Sequence, residues 1–342
     1  MQSQKRHILF ILLGFAVLLL FVLNISLGPV RIPTREVIES LMGGNASKET
    51  WQYIIINYRL PKAITAILAG MGLSVSGLLM QTLFRNPLAG PYVLGLTSGS
   101  SLGVAFVVLG AGLIPGFLGS LLLSSAGIII ASCLGSLLVM IAVLIVSQRL
   151  RDTMAILIVG LMFGSFTSAI VGVLTYYSTA EQLQKYSFWV LGNLGNLSWT
   201  SIGILSVSVF TGLLMAVFSI KPLNALLLGE NYAKSLGLNY KKTQLVIIFA
   251  TSILAGSITA FAGPIAFIGL AVPHIAKLTF NTSNHNILFW ATLLIGAAVM
   301  LVCDILSQIP GSDITLPINA ITSIIGAPVV IWLLLRKRKM LL

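Results

Sequence analysis

The chain has 342 residues, of which 57% are hydrophobic and 8% charged, and its formal net charge is +12; the mean hydropathy is +1.02. A soluble globular domain carries roughly a quarter of its residues charged, so this composition excludes a soluble enzyme or binding module and describes an integral membrane protein with little chain left for a soluble domain. The Lys and Arg residues lie in short connections between apolar runs instead of along one soluble face, which excludes nucleic acid as a partner and makes membrane topology the explanation of the charge.

Apolar runs long enough to cross a bilayer, about 20 residues each, fall near 8–27, 60–83, 92–113, 119–147, 154–176, 200–220, 244–262, 264–280, 287–307 and 317–335. The first follows Lys5 and Arg6 but is longer than the apolar region of a signal peptide and is not followed by a small-x-small cleavage site, so it reads as a retained helix. Ten spans place both termini on one face, and the basic ends Lys5-Arg6 and Arg336-Lys337-Arg338-Lys339 make that face cytoplasmic by the positive-inside rule. In that arrangement 14 of the 20 Lys and Arg residues are cytoplasmic and 6 lie outside, and an eight-span arrangement would keep the same termini. The reading is an all-α polytopic membrane protein forming a single transmembrane domain over 1–342.

Two outer connections, 28–58 and 177–199, are long enough to fold on the membrane surface, and the second carries Tyr186, Phe188, Trp189 and Trp199. Aromatic residues at that level usually anchor in the interface. Arg59 and Lys62 flank Leu60-Pro61 at the outer start of the second span, where basic side chains commonly snorkel. Small residues then pattern the second span (Gly70, Gly72, Ser74, Ser76, Gly77) and the fifth (Gly160, Gly164, Ser165, Ser168). Close helix packing is their commoner use, and a weakly polar conduit is the other.

At Arg85-Asn86-Pro87-Leu88 a proline interrupts the chain where the second span meets the cytoplasm. Irregular backbone at that depth lines a cavity or is buried in protein, so this is either a gate or an ordinary turn in which Pro87 biases Asn86 toward an extended conformation. The stretches AGPYVLGL (89–96) and AGPIAFIGL (262–270) echo each other and, in ten spans, lie at opposite faces, as the halves of an inverted repeat would.

The segment 221–243 is the one cytoplasmic connection with room for its own structure. Pro222 suits a helix start, Gly229 divides the run and Gly237 suits a helix end. Tyr232, Ala233 and Leu236 recur at helical spacing with Glu230 near the positive end. Spacing alone leaves a helix lying on the lipid headgroups as an equal alternative to a docking element.

Asp304 stands within the ninth span, where a carboxylate costs about 2.5–3.5 kcal/mol on insertion scales and marks function by default. No second intramembrane acid accompanies it. It is either an ion-coupling site, which would make the chain a secondary transporter together with the break at Gly263-Pro264, or a helix contact. Cys133 and Cys303 lie inside apolar segments as small hydrophobes and signal neither disulfide nor metal. The chain has no G-x-x-x-x-G-K-[ST] phosphate loop, and its three histidines do not assemble a hydrolytic site, so no catalytic, cofactor or metal residue is assigned.

Three blocks carry a resemblance: GENYAKSLGLNYKKTQLVIIFATSILAGSITAFAGPIAFIGLAVPHIAK (229–277), RLPKAITAILAGMGLSVSGLLMQTLFRNPLAGPYVLGLTSGSSLG (59–103) and the terminal TLPINAITSIIGAPVVIWLLL. Together they resemble the FecCD-type permease subunits of ABC importers for ferric siderophores, haem and cobalamin, over nearly the whole chain. The resemblance implies a type II ABC importer permease fold of about ten helices with an inverted repeat. It implies a cytoplasmic gate at Asn86, Leu88 and Thr153, and ATPase coupling through Gly229, Glu230, Ala233, Leu236 and Gly237. It further implies docking of an extracytoplasmic substrate-binding protein on Arg59 and Lys62, and a helix-contact role for Asp304. The partners it implies are two ABC ATPase subunits, that binding protein and a second permease copy, in a bacterial inner membrane. Gln308 and Thr315 replace an Arg and a Glu expected on the outer rim, leaving Arg31 or Arg35 as substitutes there. Ferric siderophore is the first-choice cargo, with haem and cobalamin open.

Overall fold

A computed structural model describes residues 2–110, 121–149, 153–195, 197–308 and 315–338. Among the described residues seven helices are long and apolar enough to cross a membrane: Gln4–Ser26, Glu49–Leu83, Ser125–Val146, Ile158–Tyr176, Trp199–Phe218, Tyr240–Ala262 and His285–Ser307. Three shorter apolar helices, Leu96–Val108, Ile268–Phe280 and Ile318–Trp332, complete the ten positions expected from the sequence.

Two of the short helices explain the echoed Gly-Pro sequences. After Gly90, Pro91 opens a 3-10 turn that ends on left-handed Gly95 (φ +74°), and Leu96–Val108 follows. After Gly263, the chain reaches left-handed Phe267 (φ +66°), and Ile268–Phe280 follows. Each helix has 13 residues. At 1.5 Å per residue that is about 20 Å, short of a hydrocarbon core of about 30 Å, so irregular chain takes up part of each crossing, as a broken-helix repeat requires.

The chain separates into two compact units interleaved in sequence: residues 1–75, 193–206 and 265–342 in one, and 76–192 and 207–264 in the other. In the first unit, helix Gln2–Ser26 packs on His285–Ser307, which also carries Ile268–Phe280 and Ile318–Arg338. Gly70, on helix Leu60–Leu83, meets the backbone of Gly296, and Ser74 Oγ donates to the Gly70 carbonyl at 2.6 Å and to the Thr292 carbonyl at 3.1 Å. The break before Ile268–Phe280 is held by Asn319, whose Oδ1 accepts from the Ala266 N–H at 3.1 Å, and by Gly326, against which Phe267 lies. In the second unit, Leu96–Val108, Ser125–Arg149 and Tyr240–Ala262 form the centre. There Gly99 and Gly103 face Gly135 and Ala131 with no side chain between the backbones, the small-xxx-small contact of membrane helices.

The connection 28–58 is more ordered than a loop. It forms Thr34–Leu41 and then Glu49–Ile54, which runs through a π-helical turn, Ile55–Arg59, directly into Leu60–Leu83. The second span therefore starts about ten residues earlier than the sequence suggests. Its extension is stabilised by Ile25, Ile32, Val37, Ile55 and Ala63, which form a buried cluster with Trp51, Ile54 and Ile56 around it. Pro61 has no N–H to give to the turn before it, which accounts for the π-helical register at this point. The second connection forms Ala180–Leu191, started by a capping box between Thr179 and Gln182. On this helix burial raises the Tyr186 hydroxyl above its usual pKa while a hydrogen bond to Ser101 pulls it down, and its ring stacks on Trp189. Phe188 and Trp199 are exposed, as interface anchors are.

Candidate functional site

The segment 221–243 folds as two short helices. Ile220–Leu227 has Pro222 in its first turn and buries Leu223 and Leu226. Gly229 then takes φ +116°, ψ 150°, a region essentially closed to other residues, and redirects the chain into Glu230–Ser235. Glu230 sits at the positive end of that helix and Lys234 at the negative end, with Nζ 2.6 Å from Glu230 Oε1 and 5.6 Å from the Tyr240 ring centroid. The helix stops at Gly237 (φ +83°) in a Schellman motif: the Gly237 N–H donates to the Lys234 carbonyl at 2.9 Å and the Leu238 N–H to that of Ala233 at 3.1 Å. Leu227, Leu228, Tyr232 and Leu236 are left exposed.

The small residues of this segment have uses other than leaving room for a docked partner. Gly229 and Gly237 provide backbone conformations, and Ala233 is fully buried, holding the second helix inward and presenting no surface. Only Glu230 and Leu236 of the five expected coupling residues offer side chains outward, joined by Tyr232, Leu227 and Leu228, which the sequence reading did not single out as contacts. Their exposure is legible only once the inward side of the segment is known. Gly229→Ala is expected to destabilise by about 1–3 kcal/mol, seen as a lower unfolding midpoint of the purified protein. Gly14→Ala, at a site with no atom within 4 Å, should leave it unchanged.

The turn at 86–88 is built from local chemistry. Arg85 adopts a left-handed conformation (φ +49°) after helix Leu60–Leu83, and Pro87 requires Asn86 to leave the helix. Asn86 Oδ1 accepts the Leu88 N–H at 2.9 Å, closing an Asx turn, and the Asn86 carbonyl accepts from Ala89 at 3.0 Å. Leu88 is exposed. Arg85 reaches out of this turn: its Nη2 donates to the Leu226 carbonyl at 3.0 Å, at the end of Ile220–Leu227. Thr153 is the first residue of helix Thr153–Tyr176, and its side chain lies outside the described residues. That helix packs on the 3-10 turn after Gly90, where a side chain at Gly95 would press on the Gly160 carbonyl.

Asp304 is neither alone nor central in its helix. It lies one turn from the end of His285–Ser307, fully buried, with Oδ1 3.0 Å from Lys62 Nζ. Asn24 Nδ2 and Gln308 Nε2 each donate to Oδ2 at 2.9 Å, and Ser307 Oγ approaches Oδ1 at 3.4 Å. The carboxylate is therefore held by a Lys ammonium and two side-chain amides of the chain itself, while the Ser307 hydroxyl donates to the Asp304 main-chain carbonyl at 2.7 Å, which favours a helix contact over an ion site. Arg59 is likewise buried: its guanidinium donates to the carbonyls of Ile25 and Ser26, at 2.6 and 2.8 Å, and to that of Val30. Ile25 and Ser26 end helix Gln2–Ser26, where carbonyls lack intrahelical partners, and Val30 lies in the chain that follows; the Ser26 carbonyl also accepts the Ile32 N–H at 3.3 Å. The expected docking pair Arg59 and Lys62 is thus committed to internal bonds, and Gln308 is part of the same cluster. Lys62 and Asp304 lie 242 positions apart in sequence, a pairing that no local pattern of residues announces.

Among the described residues, ten apolar helices, two interrupted crossings and an amphipathic helix pair outside the apolar spans define a polytopic membrane protein. Residues 16–336 match the FecCD transport family, and the chain belongs to that family of ABC importer permeases. It is 31% identical to the hemin transport system permease protein HmuU of Yersinia pestis, covering 96% of both chains. It is 34% identical to the vitamin B12 import system permease protein BtuC of Klebsiella pneumoniae, over 98% of this chain and 96% of that one. A solved structure described as an inward-facing metal-chelate type ABC transporter superposes with a TM-score of 0.83 at 26% identity, covering 96% of this chain and 99% of that one.

Proposed function

We propose that this chain carries an iron chelate, with ferric siderophore as first choice and haem or cobalamin as the other cargoes, through the inner membrane of a bacterium. Two copies of a separate ATPase drive it and an extracytoplasmic binding protein delivers the cargo. A second copy of the permease completes the pathway. The named relatives transport hemin and vitamin B12, and the structural neighbour is of metal-chelate type, which supports a large chelate as cargo. The 14-to-6 distribution of Lys and Arg supports cytoplasmic termini and a cytoplasmic 221–243 segment. Ser165 and Ser168 are exposed on the largely unburied helix Thr153–Tyr176, which supports placing that helix toward the second copy and the cargo. The gate is proposed at Asn86, Leu88 and Thr153. Docking of the binding protein is proposed for Arg31 and Arg35, since Arg59 and Lys62 are engaged inside the chain.

The observation that carries this reading is the helix pair Ile220–Leu227 and Glu230–Ser235, shaped by Gly229 and capped at Gly237, which leaves Leu227, Leu228, Tyr232 and Leu236 exposed. A surface of that kind fits a cleft on a partner. Co-expression with the cognate ATPase and purification through a tag on the permease is expected to recover both. Leu236→Arg is expected to lose the ATPase by roughly 100-fold or more in affinity, as for an interface anchor, while the permease keeps its elution volume. Equal recovery with Leu236→Arg and with a Tyr232→Asp, Leu228→Asp variant would overturn the docking role, and cargo uptake by the permease without any ATPase would overturn the importer reading.

A further inference from the structure

We propose that Arg85 is a positioning residue that transmits movement of the Ile220–Leu227 helix to the turn at 86–88. This rests on the reading of 221–243 as the ATPase-docking segment and of 86–88 as a gate. Three observations carry it. The Arg85 side chain bridges the two: Nη2 donates at 3.0 Å to the Leu226 carbonyl, which also accepts the Gly229 N–H at 3.2 Å. That carbonyl lies at the negative end of the helix, where a guanidinium gains from the dipole as well as from the hydrogen bond. The guanidinium also sits beside Gly229, where an added Cβ would lie 3.4 Å from Nη2, so the glycine that redirects the docking segment is the residue the link passes.

At its other end the link is stiff. Arg85 holds a left-handed backbone at φ +49°, and the next three residues are closed by the bond from Leu88 N–H to Asn86 Oδ1. Displacement of Leu226 therefore acts, through the arginine side chain, on a turn whose backbone from Arg85 to Leu88 is held by its own geometry. A gate fixed only by its own Asx turn would be indifferent to the docking segment; the arginine makes the two move together. Coupling of this kind requires two arrangements whose balance both ends bias, with coupling typically worth 5–150-fold in an equilibrium.

The test uses the complete transporter, permease with its cognate ATPase, in a Cys133→Ala background carrying Leu88→Cys as a thiol reporter. With Arg85 present, addition of a non-hydrolysable ATP analogue is expected to change the labelling rate of residue 88 by roughly tenfold. In Arg85→Met the ATPase still co-purifies and the change falls below about twofold. Arg85→Gln, which ends short of the Leu226 carbonyl, behaves as Arg85→Met and serves if that variant is poorly folded. Arg85→Lys, which can still place an ammonium on the carbonyl, recovers most of the response. A full nucleotide response in Arg85→Met or Arg85→Gln overturns the proposal while leaving the importer reading intact. Loss of ATPase binding in those variants also overturns it, assigning Arg85 to the shape of the docking segment. Failure of the ATPase to bind the protein that retains Arg85 overturns the underlying reading and the proposal with it.

Discussion

Lys62→Met is expected to destabilise the protein by about 3–5 kcal/mol, and Asp304→Asn by about 3 kcal/mol, because each removes one member of a buried ion pair and leaves the other uncompensated. The asymmetry follows from burial: Asp304 keeps 1% of its side-chain surface and Lys62 keeps 20%, so the stranded ammonium recovers some hydration and the stranded carboxylate recovers none. The Asn24 and Gln308 amides cannot replace the lost charge, since together they neutralise no part of it. Lys62→Met combined with Asp304→Leu is expected to regain most of the stability, as apolar replacement of a whole buried pair often does. Unfolding free energies in detergent of the unchanged protein, Lys62→Met, Asp304→Leu and their double variant give the cycle and its coupling energy. Uptake measured on the same set separates a structural clamp from ion coupling. A clamp predicts that transport returns with stability in the double variant, and a folded but inactive double variant would reinstate Asp304 as a coupling site.

Gly70→Leu is expected to abolish recovery of folded protein, and Gly70→Ala to cost about 3 kcal/mol or more. A Cβ at Gly70 would strike the Gly296 carbonyl, and a Cβ at Gly296 would strike Ser74 and the Gly70 carbonyl. Backbone meets backbone, so no rotamer change can make room and the helices must separate. Separation also breaks the bond from Ser74 Oγ to the Thr292 carbonyl, which crosses between the same two helices. In a membrane, where lipid is as apolar as the helix surface, such close approach is itself a main source of helix association. Size-exclusion profiles of the two variants beside Gly14→Leu, at a site with open space around it, give the measurement. A normal profile for Gly70→Leu would show that this contact does not hold the first unit together.

Several features were legible in the sequence because they depend on local chemistry. The ten apolar runs are set by the need to bury about 20 residues per crossing. Pro87 ended the second span where the structure ends it, since a proline constrains the residue before it wherever it stands. Gly229 and Gly237 divided and ended the 221–243 segment as read, because left-handed and extended positive-φ backbone has few other occupants. The echo between the paired AGP sequences was legible, and each leads into a helix of 13 residues, though the shortness of those helices was not.

Other features were decided only by the tertiary structure. The extension of the second span back to Glu49 is packed by Ile25, Ile32 and Val37 from other segments, contacts that no short window of sequence contains. Asp304 read as a lone intramembrane acid, and Arg59 and Lys62 as rim charges. Folding brings Lys62 and Asn24 to Asp304 across 242 and 280 positions of sequence and turns Arg59 onto the carbonyls of Ile25, Ser26 and Val30 where the first helix ends and just beyond it. Ala233 looked like an outward small residue because helical spacing fixes which residues share a face but not which way the face turns. The sequence by itself determined the membrane class, the breaks and the turns of this protein, since those follow from the energetics of each residue in its own neighbourhood. The partners of its buried charges were decided only by the tertiary structure, because a charge in a low-dielectric interior takes whichever counter-charge the packing of distant helices delivers.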